Sequence, residues 1–163
     1  MSRAGRQRLG LLLGVVALLA LAGWQWRRDQ NATAGTLLTM APVSIRHIAL
    51  RLGGDPTGHY EKRDGHWWRT DGTPARADDG WLDGLAGTAT AEVLRWRPAG
   101  EFDPARIGLQ PPRAVLTLDG QSLEFGEISA TGPQAYVRVG ARIALVPLHY
   151  LPRPPQAGAL HAS

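Results

Sequence analysis

Residues Phe125 to Leu151 read FGEISATGPQAYVRVGARIALVPLHYL and contain two apolar runs, Tyr136 to Val139 and Ile143 to Leu148. The runs meet at Gly140-Ala141, and β-branched or aromatic residues on both sides of such a turn predict a hairpin. Pro147 cannot donate to a strand ladder, so we expect the last strand to end there or to lie at a sheet edge. We interpret this hairpin as the pair of strands on which the rest of the domain closes.

Two further hairpins precede it, each built around an Asp-Gly turn. Asp64-Gly65 and Asp119-Gly120 are flanked by alternating apolar and polar residues, and Asp-Gly accepts the positive φ angles of a tight two-residue turn. Two single strands are also predicted from period-two alternation, one of them with Leu94 and Trp96 on the same side. These predicted strands cover residues 43–52, 59–63, 66–69, 92–96, 114–118 and 122–125. The expected core residues of the second hairpin are Leu116, Leu118, Leu123 and Phe125.

One helix is predicted to begin after Asp78, whose carboxylate can cap the first turn. Trp81, Leu82, Leu85 and Ala89 follow at three- and four-residue spacing and form one apolar stripe. Acidic residues in a first turn usually complement the helix dipole. We therefore favour this role over a divalent-cation site for the three acidic residues Asp78, Asp79 and Asp83.

A loop between residues 97 and 112 separates the fourth predicted strand from the second hairpin. It contains several prolines and glycines, which are typical of turns. We expect Phe102, Ile107 and Leu109 to pin it to the domain, with at most one helical turn inside it.

The positive charge lies at one end of the chain. The formal net charge is +4, and five arginines and one aspartate before Gln30 account for all of it: Arg3, Arg6, Arg8, Arg27, Arg28 and Asp29. From Gln30 onward, 13 basic residues balance 13 acidic ones. Nucleic-acid binding needs a concentrated basic face, so we expect no nucleic-acid partner. The absence of cysteine excludes disulfides and thiolate zinc sites.

Residues Leu9 to Trp26 carry no charge and read LGLLLGVVALLALAGWQW. At about 1.5 Å per residue they would span roughly 27 Å, close to the hydrocarbon thickness of a thin bilayer. This pattern predicts an uncleaved transmembrane helix in the inner membrane, with the N-terminus in the cytoplasm and the domain in the periplasm. The alternative is a signal peptide cleaved near Ala22, which would give a secreted domain.

The predicted fold class is therefore α+β. An N-terminal transmembrane helix is followed by a mostly antiparallel curled sheet of about six to seven strands with one covering helix. The predicted organisation is a basic cytoplasmic N-terminus at 1–8, a transmembrane helix at 9–26, a linker at 27–42, a periplasmic domain at 43–151 and a disordered tail at 152–163.

The sequence lacks the motifs of common catalytic and nucleotide-binding sites. Neither G-x-x-x-x-G-K-[ST] nor G-x-G-x-x-G occurs. His59 and His66 could approach each other across the first hairpin, but no third metal ligand is placed beside them. Glu124 and Glu127 form a carboxylate pair, although charged residues on the outer face of a strand are common. We expect no enzyme activity, cofactor or metal, and we name no catalytic residue.

Trp67 and Trp68 stand side by side in the first hairpin. The predicted register places Lys62 opposite Trp67 and Glu61 opposite Trp68. Two adjacent indoles can form a stacking platform for a sugar or a peptide. We favour the alternative, in which one indole packs inward and the other rests against the stem of Lys62.

Several short motifs stand in an order that resembles the DUF4340 domain family. These are I-x-x-I-x-L at 45–50, Trp68, the helix at 78–85, IGLQP at 107–111, L-x-F-G at 123–126 and AYVRVG at 135–140. The resemblance covers about Val43 to Leu151 and implies an anchored envelope protein that accompanies an ABC-type or gliding-motility-like system. We add Tyr136 and Arg138 of the AYVRVG motif to Trp67 and Trp68 as candidate ligand or partner contacts.

An apolar N-terminal segment, a charge-balanced domain and the missing catalytic motifs favour an interaction or assembly module. The expected partners are the inner membrane and an envelope protein related to an ABC transporter. The alternative function is a periplasmic module that binds a glycan or a peptide through exposed tryptophan side chains.

Overall fold

The structure is a computed structural model that describes residues 3–32 and 35–156. The chain divides into two compact units, residues 1–33 and residues 34–163. The first unit contains helix α1, Arg3–Ala32, and the second contains a β-sheet and helix α2, Asp79–Gly87.

The predicted transmembrane helix at residues 9–26 is wrong. Among the described residues, no helix is long and apolar enough to cross a membrane. The uncharged part of α1 is interrupted by three glycines and by Gln25, whereas a membrane span needs about 20 predominantly apolar residues. The single-pass placement in the inner membrane, with a cytoplasmic N-terminus and a periplasmic domain, is corrected for the same reason. Residues 1 and 2 of the predicted N-terminal tail lie outside the described residues.

The second unit is built on one sheet, which has nine strands within the described residues. The strands are β1 His47–Leu52, β2 Gly58–Arg63, β3 His66–Arg69, β4 Ala75–Arg76, β5 Arg95–Pro98, β6 Ala114–Leu118, β7 Gln121–Ile128, β8 Gln134–Val139 and β9 Arg142–Pro147. Their order across the sheet is β4-β3-β2-β1-β6-β7-β8-β9-β5. Every neighbouring pair is antiparallel.

The prediction of six to seven strands is therefore wrong. One reason is β4, which has two residues and so carries no alternation that a sequence pattern could reveal. The predicted strand at 92–96 begins later, at Arg95, because the chain bends at Leu94. Leu94 was expected beside Trp96 on one face, but Val93 is buried and Leu94 is 42% exposed.

The three predicted hairpins are confirmed. The φ angles are 51° and 80° at Asp64 and Gly65, and 44° and 86° at Asp119 and Gly120. Positive φ at both central residues is the geometry that suits a two-residue hairpin turn. Gly140 also has a positive φ of 59° between β8 and β9, and β9 ends at Pro147 as expected.

One face of the sheet, the core face, packs against α2 and against residues 37–38. Leu82, Leu85 and Ala86 of α2 are buried, as are Leu37 and Leu38. The four core residues predicted for the second hairpin are confirmed, because each of them has no exposed surface. Burial of this apolar face supplies most of the stability of such a sheet.

The other face, the outward face, carries a smaller cluster near its β9 end. Residues 99–112, which we call the strap, cross β8 and β9 and place Ile107 and Leu109 on Ile143. The Phe102 ring meets the Tyr136 ring edge-on, with 5.6 Å between their centres. The prediction that Phe102, Ile107 and Leu109 pin this loop is confirmed. The loop includes one short 3-10 helix at Ala99–Glu101.

The strap touches β7 where the sheet has a glycine. The backbone amide of Glu127 donates to the carbonyl oxygen of Ile107 at 2.7 Å. A β-carbon added at Gly126 would lie 2.2 Å from that same oxygen, so any larger residue would push the strap off the sheet. The IGLQP motif of the strap therefore packs directly against the L-x-F-G motif of β7.

The predicted tail, residues 152–163, is described only up to residue 156. In that part, the carbonyl oxygen of Arg153 accepts a hydrogen bond from the Trp81 indole at 2.9 Å. The start of the tail is therefore tied to α2.

We predict that Gly126→Ala lowers the free energy of unfolding by about 1–3 kcal/mol, because the methyl group overpacks the contact with the strap. Gly54→Ala is the matched control, since a β-carbon there meets nothing within 4 Å. It should change stability by less than about 1 kcal/mol. Urea unfolding of both variants measures the difference, and equal stabilities would contradict the strap contact.

Candidate functional site

Trp67 is an anchor between the first hairpin and α2, and it has no exposed surface. Its backbone amide donates to Asp79 Oδ1 at 2.6 Å, and its indole Nε1 donates to Asp83 Oδ1 at 2.8 Å. Lys62, opposite Trp67 in the register, places its ammonium 5.3 Å from the indole ring and 2.9 Å from Asp83. The favoured prediction is confirmed in its first half, because Trp67 packs inward. Its second half is wrong, because Lys62 contacts that same indole and Trp68 lies beside Arg76.

Two acidic residues of α2, Asp79 and Asp83, hold Trp67 in place, and a third, Asp78, caps the helix. Asp78 accepts from the Trp81 amide at 2.7 Å, which confirms the predicted cap. The Trp67 amide, and then His66 and Arg76, lower the pKa of Asp79 from 3.8 to about 2. The Trp67 indole, followed by Lys62, also lowers the pKa of Asp83. Asp79 and Asp83 therefore do more than complement the helix dipole, which the sequence did not reveal.

The other three predicted contact residues are spread across the outward face. Trp68 is half-buried on β3, with the Arg76 guanidinium 5.8 Å from its ring. Tyr136 belongs to the cluster under the strap, and Arg138 forms an ion pair with Glu124. Trp68 and Arg138 are five strands apart in the sheet order, or about 24 Å along the sheet. The structure does not bring these residues into one site, and their role as contacts stays a prediction.

The burial of Trp67 argues against the predicted stacking platform of two tryptophan side chains. A stacking surface of two indoles needs both rings at the surface, and Trp67 is fully enclosed. Trp68 alone remains to contact a ligand.

A depression lies elsewhere on the outward face, above a single alanine. Ala49 of β1 stands opposite His59 on β2 and Thr117 on β6. His47 and Arg51, two residues before and after it, point to the same face because side chains alternate along a strand. A methyl group surrounded by four longer side chains leaves an open groove.

This Ala49 groove has a volume of about 380 Å³ and is open to solvent. Its lining residues are His47, Ile48, Ala49, His59, Tyr60, Glu61, Arg63, Thr70, Asp71, Thr117 and Gly120.

The carboxylates near the groove already have donors from within the domain. Asp119 accepts from the backbone amide of His47 at 2.7 Å, and Asp71 accepts from that of His59 at 2.6 Å. Glu61 accepts from Arg63 Nε at 2.9 Å, and this hydrogen bond lowers the pKa of Glu61. The acidic groups of the groove are therefore engaged in holding the turns and strands.

Several donors around Ala49 remain without such partners. Among the described residues, neither the Arg51 guanidinium nor the His59 imidazole makes an ion pair or a side-chain hydrogen bond, and the Thr117 hydroxyl is equally unengaged. His47 Nδ1 lies 3.5 Å from Asp119, which is a long contact. The His59 imidazole and the Thr117 hydroxyl can each donate to or accept from a ligand in the groove, and the Arg51 guanidinium beside it can only donate.

No family model, curated protein or solved structure matches this chain. The resemblance to the DUF4340 domain family stays a prediction.

Sequence reasoning missed the Ala49 groove because the groove depends on which strands pair. Alternation places His47 and Arg51 on the polar face of β1, but the sequence does not show that β2 and β6 flank this strand. One feature of the sequence could have indicated the groove: the small residue Ala49 stands between the long polar residues His47 and Arg51 on the solvent-facing side of the strand.

The lowered pKa of Asp79 predicts how the contribution of this residue to stability depends on pH. A folded-state pKa of about 2, below the ordinary 3.8, means that ionised Asp79 stabilises the fold above about pH 4. This stabilisation is lost as the pH falls through about 2. We predict that Asp79→Asn lowers the free energy of unfolding by about 1–2 kcal/mol at pH 7 and weakens the pH dependence between 4 and 2.

Urea unfolding at a series of pH values measures this effect. The control is Asp55→Asn, because the Asp55 side chain makes no hydrogen bond to any described residue. An Asp79→Asn variant with the same pH profile as the unmodified protein would contradict the role of Asp79.

Proposed function

We propose that the sheet domain is a protein-interaction module that binds a peptide segment of a partner in the Ala49 groove. The observation that carries this proposal is a groove of about 380 Å³ on an open sheet face, whose lining includes the His59 imidazole and the Thr117 hydroxyl, neither of them engaged by a described residue. A volume near the lower end of the range for ligand sites suits a few side chains of a peptide.

The two edge strands of the sheet are poorly suited to pairing with an added peptide strand, which favours a sheet face as the binding surface. A peptide that adds to an edge needs a run of free backbone groups to pair with. One edge strand, β4, has two residues, and the other, β5, has four and ends in Pro98. Short edges and proline are devices that prevent strand addition.

The charge of the domain supports a protein partner over a nucleic acid. From Gln30 onward the acidic and basic residues are equal in number, and the ion pairs Arg113 with Glu127 and Arg138 with Glu124 neutralise part of the outward face. A phosphate backbone would find no continuous basic surface there. The envelope protein expected from the sequence remains a prediction about which partner is bound.

The test is selection of peptides from a random displayed library on the full-length protein. We predict that Ala49→Tyr, which fills the groove with a ring, weakens binding of the selected peptides at least about tenfold, or 1.4 kcal/mol. Ala49 is partly exposed at a strand position, where tyrosine is well tolerated.

The matched control is Val43→Tyr, because Val43 is 82% exposed and does not line the groove. Urea unfolding establishes that both variants remain folded. Selected peptides that bind Ala49→Tyr and the unmodified protein equally, or a selection that yields no peptide, would overturn the proposal.

A further inference from the structure

The charged groups around the Ala49 groove are unequally paired. Each carboxylate there is held by a nearby cation or by backbone amides: Glu61 by Arg63, Asp71 by the His59 amide, and Asp119 by the amides of Arg46 and His47. Arg69 adds a contact of 3.7 Å to Asp71. Each of these carboxylates therefore already has donors within the domain.

The Arg51 guanidinium forms no ion pair within the part of the chain that the structure describes. It stands opposite Val115 of β6, and the next residue along that row of the sheet is Glu124 of β7. Glu124 is taken by Arg138, its partner on β8.

Arg51 lies beside the groove, not among its lining residues. It is two residues from Ala49 on the side opposite His47, or about 7 Å along the strand. His59 and Thr117 flank Ala49 on either side and add a ring nitrogen and a hydroxyl as further donors. A guanidinium with two such neighbours matches the two oxygens of a carboxylate.

We infer that the peptide bound in the Ala49 groove is acidic, and that Arg51 receives an aspartate or glutamate side chain of the partner. This inference rests on the proposed function, because it names the class of peptide that the groove selects. His59 and Thr117 complete the recognition by donating to the same carboxylate or to the peptide carbonyl beside it.

In the experiment, peptides are selected on the full-length protein, and those whose binding is weakened by Ala49→Tyr are sequenced. We expect them to be enriched in aspartate and glutamate over lysine and arginine. Arg51→Gln should weaken their binding about fivefold or more, because the charge-assisted hydrogen bond is lost. Their affinity for the unmodified protein should fall with added salt more steeply than their affinity for Arg51→Gln.

The matched control is Arg95→Gln. Like Arg51, Arg95 is an arginine on the outward face without an ion pair among the described residues, but it is more exposed than Arg51 and lies on β5, five strands from β1. Its substitution should leave peptide affinity unchanged. Urea unfolding of both glutamine variants establishes that they are folded.

The outcomes separate the two proposals. Groove-dependent peptides without acidic residues, or acidic peptides that bind Arg51→Gln as tightly as the unmodified protein, would overturn the acidic class and leave the interaction module standing. A fall in affinity that is the same for Arg95→Gln and Arg51→Gln would show a general charge effect and would also overturn it. A selection without groove-dependent peptides would overturn both.

Discussion

The structure of the sheet domain depends on how Trp67 satisfies its two N–H groups. The residue is fully buried, so each donor needs a partner inside the protein, and an unsatisfied one would cost about 1–3 kcal/mol. Asp79 and Asp83 provide the two acceptors. They are four residues apart and therefore lie on one side of α2. The anchor consequently sets both the distance and the orientation of the helix on the first hairpin.

This anchoring determines which face of the sheet is left open. Helix α2 covers the core face. On the outward face, the strap covers the part near β8 and β9. Gly126 allows the strap to approach β7 closely. Among the described residues of the sheet domain, the strap does not reach the part of the outward face formed by β2, β1 and β6, and the Ala49 groove lies there. The open groove is thus a consequence of where the helix and the strap pack.

Local signals in the sequence predicted local structure well, and long-range structure poorly. Asp64-Gly65 and Asp119-Gly120 specify their hairpins because a two-residue turn depends on its own φ angles. The pairing of β1 with β6 joins residues about seventy positions apart, and no neighbouring residue encodes it. The bend at Leu94 reversed an expected face for the same reason. In α1, the lack of charge between residues 9 and 26 was mistaken for sufficient apolar length.

The Trp67 indole and Asp83 together hold α2 on the hairpin. A double-mutant cycle with Trp67→Phe and Asp83→Asn, followed by urea unfolding, measures how strongly the two side chains depend on each other. We predict a coupling free energy of about 1–2 kcal/mol, because Phe removes the indole donor and Asn removes the charge that it contacts. Effects that add to within about 0.3 kcal/mol would show two independent residues and would contradict the account.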